Sequence, residues 1–304
     1  MFLTGFADEA GADLATQIEA TKRLNWRWIE TRNIGEKSLA TLTDAEFAEV
    51  EAQLAASGVG FNCYGSRIAN WQRAPRSEED FLASKKELLD AIPRMHKLGI
   101  KLVRGMSFKL TGDEKFDSPE LEKIIFSKVG ELVKICADAG IVYGHENCMN
   151  YGGQSPVHTL RLVENINSPA FGLIFDTGNP VFTYWRLGAE PYHLQDAWEF
   201  YKQVREFICY VHIKDGVGTI GPDGKVSQVF TFAGEGNGRV REIVCDLKKS
   251  GYDGGFSIEP HMATVFHDTD NSADDELKKV RKLETYVEYG KRFEKLLAEC
   301  GYQI

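Results

Sequence analysis

The chain has 304 residues, and 36 Lys+Arg against 45 Asp+Glu give a formal charge of −9 at pH 7. With 43% hydrophobic and 27% charged residues it has the balance of a globular protein with a large core, which excludes a disordered chain. No apolar run approaches the roughly 20 residues of a membrane-spanning helix, and the acidic excess speaks against nucleic acid, whose phosphates call for a basic face.

Short β-rich apolar runs alternate with longer amphipathic stretches along the whole sequence. The opening MFLTGFADEAGADL turns acidic within a few residues and lacks a basic n-region. It reads as a first strand from Leu3 rather than a signal peptide. WRWIETR from Trp26 precedes a helical pattern over 45–56, VGFNCYGS from Val59 one over 81–98, and IKLVRGMSF from Ile100 one over 121–139. IVYGHENC from Ile141, FGLIFDTGN from Phe171, ICYVHIKD from Ile208 and GFSIEPH from Gly255 follow, before a Lys/Glu-rich helix over 276–300. Gly58, Gly99, Gly140 and the 251–255 stretch stand just before strands, where a left-handed glycine ends a helix cheaply.

Eight strand–helix steps predict an α/β fold, a single-domain (β/α)8 TIM barrel over residues 1–304. A doubly wound sheet fits less well, because no GxGxxG follows the first strand. Residues 216–239 are the longest irregular connection, a loop insertion near the barrel mouth with PDGK as a hairpin turn. The six cysteines are scattered without a CxxC pair, which predicts reduced thiols in a cytoplasmic protein.

The strand bodies are apolar, but their C-terminal ends are polar: Asp8 and Glu9, Glu30 and Arg32, Arg104, Glu146, Asp176, His212 with Lys214 and Asp215, and Glu259 with His261. In a barrel these ends converge on one mouth, where active sites are built. Each residue alone has a plain structural explanation. A strand-closing Glu caps a helix, the Asp of DTGN makes an Asx-turn, and a strand histidine is commonly a satisfied core residue. His145 reads as core, because alternation turns it away from the face of Glu146. As a set, Glu146, Asp176, His212 and Glu259 supply three carboxylates and one imidazole. Clustered acids without matching basic partners call for a divalent cation, Mn²⁺ first, with Mg²⁺ and Co²⁺ as alternatives.

From GFADE to SIEPH the chain resembles the xylose-isomerase-like TIM barrels, a family of sugar (phosphate) isomerases and epimerases. In that family a glutamate closes strand five, an aspartate strand six, a histidine strand seven and a glutamate strand eight. These fall on Glu146 in HEN, Asp176 in FDTGN, His212 in VHIKD and Glu259 in IEPH. The GEG turn at 234–236, followed by a helix and GYDG, is a further likeness. The resemblance implies a metal-dependent isomerase or epimerase of a small carbohydrate, with those four residues as metal ligands. Glu146 and Glu259 would double as catalysts, one taking a proton beside the carbonyl and the other returning it.

Expected substrate contacts are Lys214, Asp215, Asn179, His261, Arg104 and Trp71, with Asn147, Asn150 and Arg67 as further candidates. The chain departs from the ketose 3-epimerases, which carry a His at the position of Asn179 and an Arg where this chain reads KDGVG. A lyase on a 3-keto sugar, as in C-glycoside-cleaving subunits, uses the same metal and base and is the alternative. The DNA-repair endonuclease branch needs several zinc ions and more histidines than these seven, and a non-catalytic binding subunit sits poorly with the full ligand set. The family is often homo-oligomeric, and Tyr184, Trp185 and Trp198 are candidate interface residues.

Overall fold

The computed structural model describes residues 1–110, 117–263 and 276–304. Each of the eight apolar runs contains one short strand: β1 (Phe2–Gly5), β2 (Trp28–Thr31), β3 (Gly60–Gly65), β4 (Leu102–Gly105), β5 (Val142–Glu146), β6 (Phe171–Asp176), β7 (Ile208–Ile213) and β10 (Gly255–Ile258). They form one parallel sheet in the order β1-β10-β7-β6-β5-β4-β3-β2. The result is a nearly closed (β/α)8 barrel. Its strands bury both faces, as all-parallel strands must: Val103, Tyr143, Ile174, Val211 and Phe256 are at most 1% exposed.

The helices between them are α1 (Leu14–Arg23), α2 (Asp44–Ser57), α3 (Glu78–Leu98), α4 (Pro119–Asp138), α5 (Pro156–Ile166), α6 (Asn179–Phe182), α7 (Ala197–Val204), α8 (Val240–Lys249) and α9 (Glu276–Glu299). Side-chain caps start many of them. Asp13, Ser77, Ser118, Ser155 and Asp196 each accept from the amide three residues on, and Thr43 with Glu46 makes a reciprocal capping box. Gly58 (φ 73°) and Gly99 (φ 72°) close α2 and α3 in the left-handed region before β3 and β4.

The long connection after β7 folds into an antiparallel hairpin, β8 (Asp215–Ile220) with β9 (Val226–Thr231), turning through 221–225. The Asp215 carboxylate anchors its base, accepting the amides of Gly216 and Gly238 on Oδ1 and of Gly234 and Gly236 on Oδ2. Among the described residues no helix is long and apolar enough to cross a membrane.

One expectation fails. Cys245 on α8 and Cys300 just beyond α9 form a disulfide, Cα–Cα 4.9 Å, across 55 residues of sequence. The two meet because α8 and α9 pack side by side, a neighbourhood that cysteine spacing does not encode. Cys63, Cys136, Cys148 and Cys209 are free.

His145 is a core residue. It is fully buried, with Nε2 2.9 Å from Ser107 Oγ and 3.2 Å from Asn150 Oδ1. Burial pushes its pKa down from 6.5 to about 4, against the hydrogen bond to Asn150 and the Glu146 charge. The unfolded chain therefore takes up a proton below about pH 6.5 that the native protein refuses until about pH 4, so stability falls as the pH falls through that window. Between pH 7 and pH 5 the wild type is expected to lose about 2 kcal/mol more than His145→Gln, measured by urea unfolding. Equal losses would contradict a buried neutral imidazole.

Candidate active site

The ends of β5, β6, β7 and β10 put four side chains at one point of the barrel mouth. Glu146 closes β5, Asp176 closes β6, His212 is the penultimate residue of β7, and Glu259 follows β10. Asp176 and His212 are direct neighbours in the sheet register. One ligand atom from each of the four, carboxylate oxygen or imidazole nitrogen, lies within 4.8 Å of the others, and all four residues are buried.

Local hydrogen bonds aim these groups. The Oδ1 of Asp176 accepts the amides of Gly178 and Asn179 at 2.8 and 2.7 Å, an Asx-turn that directs Oδ2 into the cluster. Asn147 fixes the backbone behind it, accepting the Asp176 amide on Oδ1 and donating to its carbonyl from Nδ2. The Nε2 of His212 lies 3.1 Å from a Glu30 oxygen, while Nδ1 faces Glu146 Oε1 at 3.4 Å and Asp176 Oδ2 at 4.0 Å. A histidine that gives one ring N–H to a carboxylate and turns the other nitrogen toward a cluster of acids has the arrangement of a metal-ligating imidazole.

The sequence expectation of acids without basic partners is corrected here. Arg104 Nη1 donates to Glu146 Oε2 at 3.2 Å, and Arg32 Nη1 to Glu259 Oε1 at 2.8 Å. Lys214 Nζ lies 2.8 Å from Glu259 Oε2 and 2.9 Å from Asp176 Oδ2. The basic residues come from β2, β4 and the end of β7, and their facing the same acids follows only from barrel closure. The donor set nevertheless fits a divalent cation. Asp176 Oδ2 is buried and, apart from its 2.9 Å ion pair with Lys214, accepts no hydrogen bond, and three carboxylates with one imidazole suit a hard or borderline ion.

Burial opposes the charge on Glu146, but Arg104 and His212 outweigh it and hold the carboxyl at about 2. Glu259 is likewise held well below the usual range, with Lys214, His261 and Arg32 overcoming burial. Burial pushes Asp176 up to about 6, with Lys214 pulling it down and the neighbouring glutamates adding to the rise. His212 is pushed up to about 10, because Glu30 and Glu146 favour the imidazolium more than burial disfavours it.

Of the six expected substrate contacts, Trp71, Arg104, Asn179, Lys214 and His261 line a cavity of about 40 Å³ beside Glu146 and Glu259. Asp215 does not. Its oxygens are spent on the four loop amides, so it holds the hairpin base rather than a substrate. Asn147 and Asn150 are also framework: Asn150 donates to the Glu146 carbonyl at 3.0 Å. Arg67 stands exposed outside this cavity, in a groove of about 570 Å³ that contains none of the four clustered residues. Trp185 stacks on His193 and Trp198 on Tyr201, both within this chain.

The charges ending β1 and β2 stand out in the sequence without a role attached to them. In the structure they form a second ring. Arg32 reaches Asp8 at 3.0 Å and Glu9 at 3.3 Å as well as Glu259. His261, in the left-handed region at φ 52°, places Nδ1 2.8 Å from Glu9 Oε1. Gln228 and Phe230 of the hairpin, which PDGK marks in the sequence near the barrel mouth, also line the cavity.

Comparison with known proteins agrees with the fold. The family model described as Xylose isomerase-like TIM barrel matches residues 18–283. The 2-epi-5-epi-valiolone 7-phosphate 2-epimerase of an Actinoplanes species is 32% identical over 118 residues, 39% of this chain and 36% of that protein. The chain spans less than half the length of the curated relatives it matches. A D-tagatose 3-epimerase-like protein superposes with a TM-score of 0.71 at 20% identity, covering 98% of this chain and 99% of the other. A Mycobacterium smegmatis xylose isomerase-like TIM barrel protein in complex with magnesium gives 0.64 at 18% identity, covering 97% of each.

Proposed function

The chain belongs to the xylose isomerase-like TIM barrel family, and from that premise we propose that it is a divalent-metal-dependent isomerase or epimerase of a carbohydrate-derived ketone. The observation that carries the reading is the buried cluster of Glu146, Asp176, His212 and Glu259 at one barrel mouth. The proposal takes these four as ligands and Mn²⁺ as the native ion, in a cytoplasmic enzyme of carbohydrate metabolism. Two relatives support it, the Actinoplanes protein named as an epimerase and the mycobacterial protein in its complex with magnesium.

A cation held there supplies Lewis acidity that polarises a carbonyl and makes the neighbouring C–H acidic. The protein's own groups do the rest. Glu146, kept as a carboxylate by Arg104, is the base. Glu259 is its counterpart, and because β5 and β10 flank β6 and β7 in the sheet, the two glutamates approach a substrate from different sides. Removal by Glu146, which then gives its proton to solvent, and delivery by Glu259, which first takes one from Lys214 2.8 Å away or from solvent, inverts the carbon between them. Arg104, Asn179 and His261 carry the donors that orient substrate oxygens, and Trp71 offers an apolar face. A cavity of about 40 Å³ is far below the usual size of a ligand site, so room for a sugar requires lining side chains to shift.

The test is incubation of Mn²⁺-reconstituted protein in D₂O with free ketoses, ketose phosphates and cyclic polyol ketones, followed by proton NMR. The expected result is deuterium beside the carbonyl of at least one substrate, together with its epimer or isomer. No exchange across the panel with Mn²⁺, Mg²⁺ or Co²⁺ overturns the proposal, and a product that has lost a β-substituent replaces it with the lyase.

A further inference from the structure

Of the three Lys and Arg side chains that meet the acidic cluster among the described residues, two are also tied elsewhere. Arg32 is shared with Asp8 and Glu9, and Arg104 donates to the carbonyls of Gly65 and Ser66. The Lys214 ammonium contacts only Asp176 Oδ2 and Glu259 Oε2 among the described acids, at 2.9 and 2.8 Å, with its side chain 5% exposed. Both carboxylates belong to the four-residue set. We propose that Lys214 is a built-in competitor of the metal: its ammonium bridges Asp176 and Glu259 in the metal-free protein, and it swings into the mouth cavity when a cation takes those oxygens. The inference rests on the metal-site reading above and adds to it a two-position residue that couples metal loading to substrate capture.

A hard divalent ion binds carboxylate oxygens at roughly 2.0 to 2.6 Å, so it competes with the ammonium for the lone pairs of Asp176 Oδ2 and Glu259 Oε2, and the two cations repel. The lysine stem also lines the mouth cavity beside Asn179 and Glu146, so a displaced ammonium has a polar destination. Lysine suits this better than arginine, because it is a compact point charge on a flexible chain rather than a fixed fork. In that second position its three N–H donors face the space a substrate occupies, where they take a hydroxyl or phosphate oxygen.

The sign of one measurement separates competition from a merely structural role. Calorimetric titration with Mn²⁺ is expected to show Lys214→Met binding the ion at least tenfold more tightly than wild type, with a larger Mn²⁺-induced rise in Tm. Equal or weaker binding by the variant, with wild-type binding intact, overturns the competitor role and leaves the metal site standing. Absence of Mn²⁺ binding by both proteins overturns the metal reading as well. If the variant does not fold, wild type alone decides. Reductive methylation with formaldehyde, read by peptide mass spectrometry, is expected to label Lys214 several-fold faster with Mn²⁺ bound than after chelation. Unchanged or slower labelling contradicts the displacement.

Discussion

Glu146→Gln is expected to lower turnover by about a thousandfold or more while leaving the barrel folded. The substitution keeps the side-chain shape but removes the negative charge, so the same change takes away a base and weakens a ligand. Glu146 Oε2 receives Arg104, and Oε1 receives Asn179 at 3.2 Å. A glutamine keeps one carbonyl oxygen for these donors and Arg104 retains the Gly65 and Ser66 carbonyls, so far-UV circular dichroism should be unchanged, while Tm falls because the buried Arg104 loses its anionic partner. The readout is Mn²⁺-supported deuterium exchange into the substrate identified by the ketone panel. Exchange at the wild-type rate would remove Glu146 from the chemistry.

Arg32→Met is expected to produce the largest loss of stability. Its guanidinium, 8% exposed, is the shared cation of Asp8, Glu9 and Glu259, and it lies 4.3 Å from the centre of the Phe6 ring. A methionine retains the packing of the stem but removes the cation that three buried carboxylates share, leaving Asp8 only the neutral Asn33 amide while Glu9 keeps His261 and Glu259 keeps Lys214. Breaking a buried pair from one side costs about 3–5 kcal/mol, because the buried charge left behind loses its compensation without regaining water. An exposed pair is the control. Arg23 meets Glu284 at 2.8 Å, with the two side chains 34% and 54% exposed, and Arg23→Ala should cost under about 1 kcal/mol. Urea unfolding at pH 7 measures both, and a similar small loss in each would show that the inner ring does not depend on Arg32.

The barrel was legible because its signals are local. Each parallel strand is buried on both faces and so reads as an apolar run, and Gly58 and Gly99 mark helix ends through a backbone conformation that glycine adopts freely. The polar ends of β5, β6, β7 and β10 were legible for the same reason, since a charge closing an apolar strand stands out in sequence. What the sequence hid was pairing across the fold. Arg32, Arg104 and Lys214 counted as separate strand-end residues until closure brought them onto the acids. Asp215 looked like a site residue because it stands three positions after His212, yet its oxygens serve four glycine amides, three of them placed by how 232–238 folds back. Cys245 and Cys300 likewise became partners only through the packing of α8 on α9.

The measurement that bears most directly on the central claim is a Mn²⁺ titration of chelator-stripped protein, wild type against His212→Ala. Nδ1 of His212 faces Glu146 and Asp176, so it is the nitrogen a cation in this cluster would use. The account predicts one tight site per chain in the wild type, weakened at least a hundredfold by the substitution, with the fold retained. Wild type and variant binding Mn²⁺ alike, or neither binding it, would contradict a metal centre built from Glu146, Asp176, His212 and Glu259.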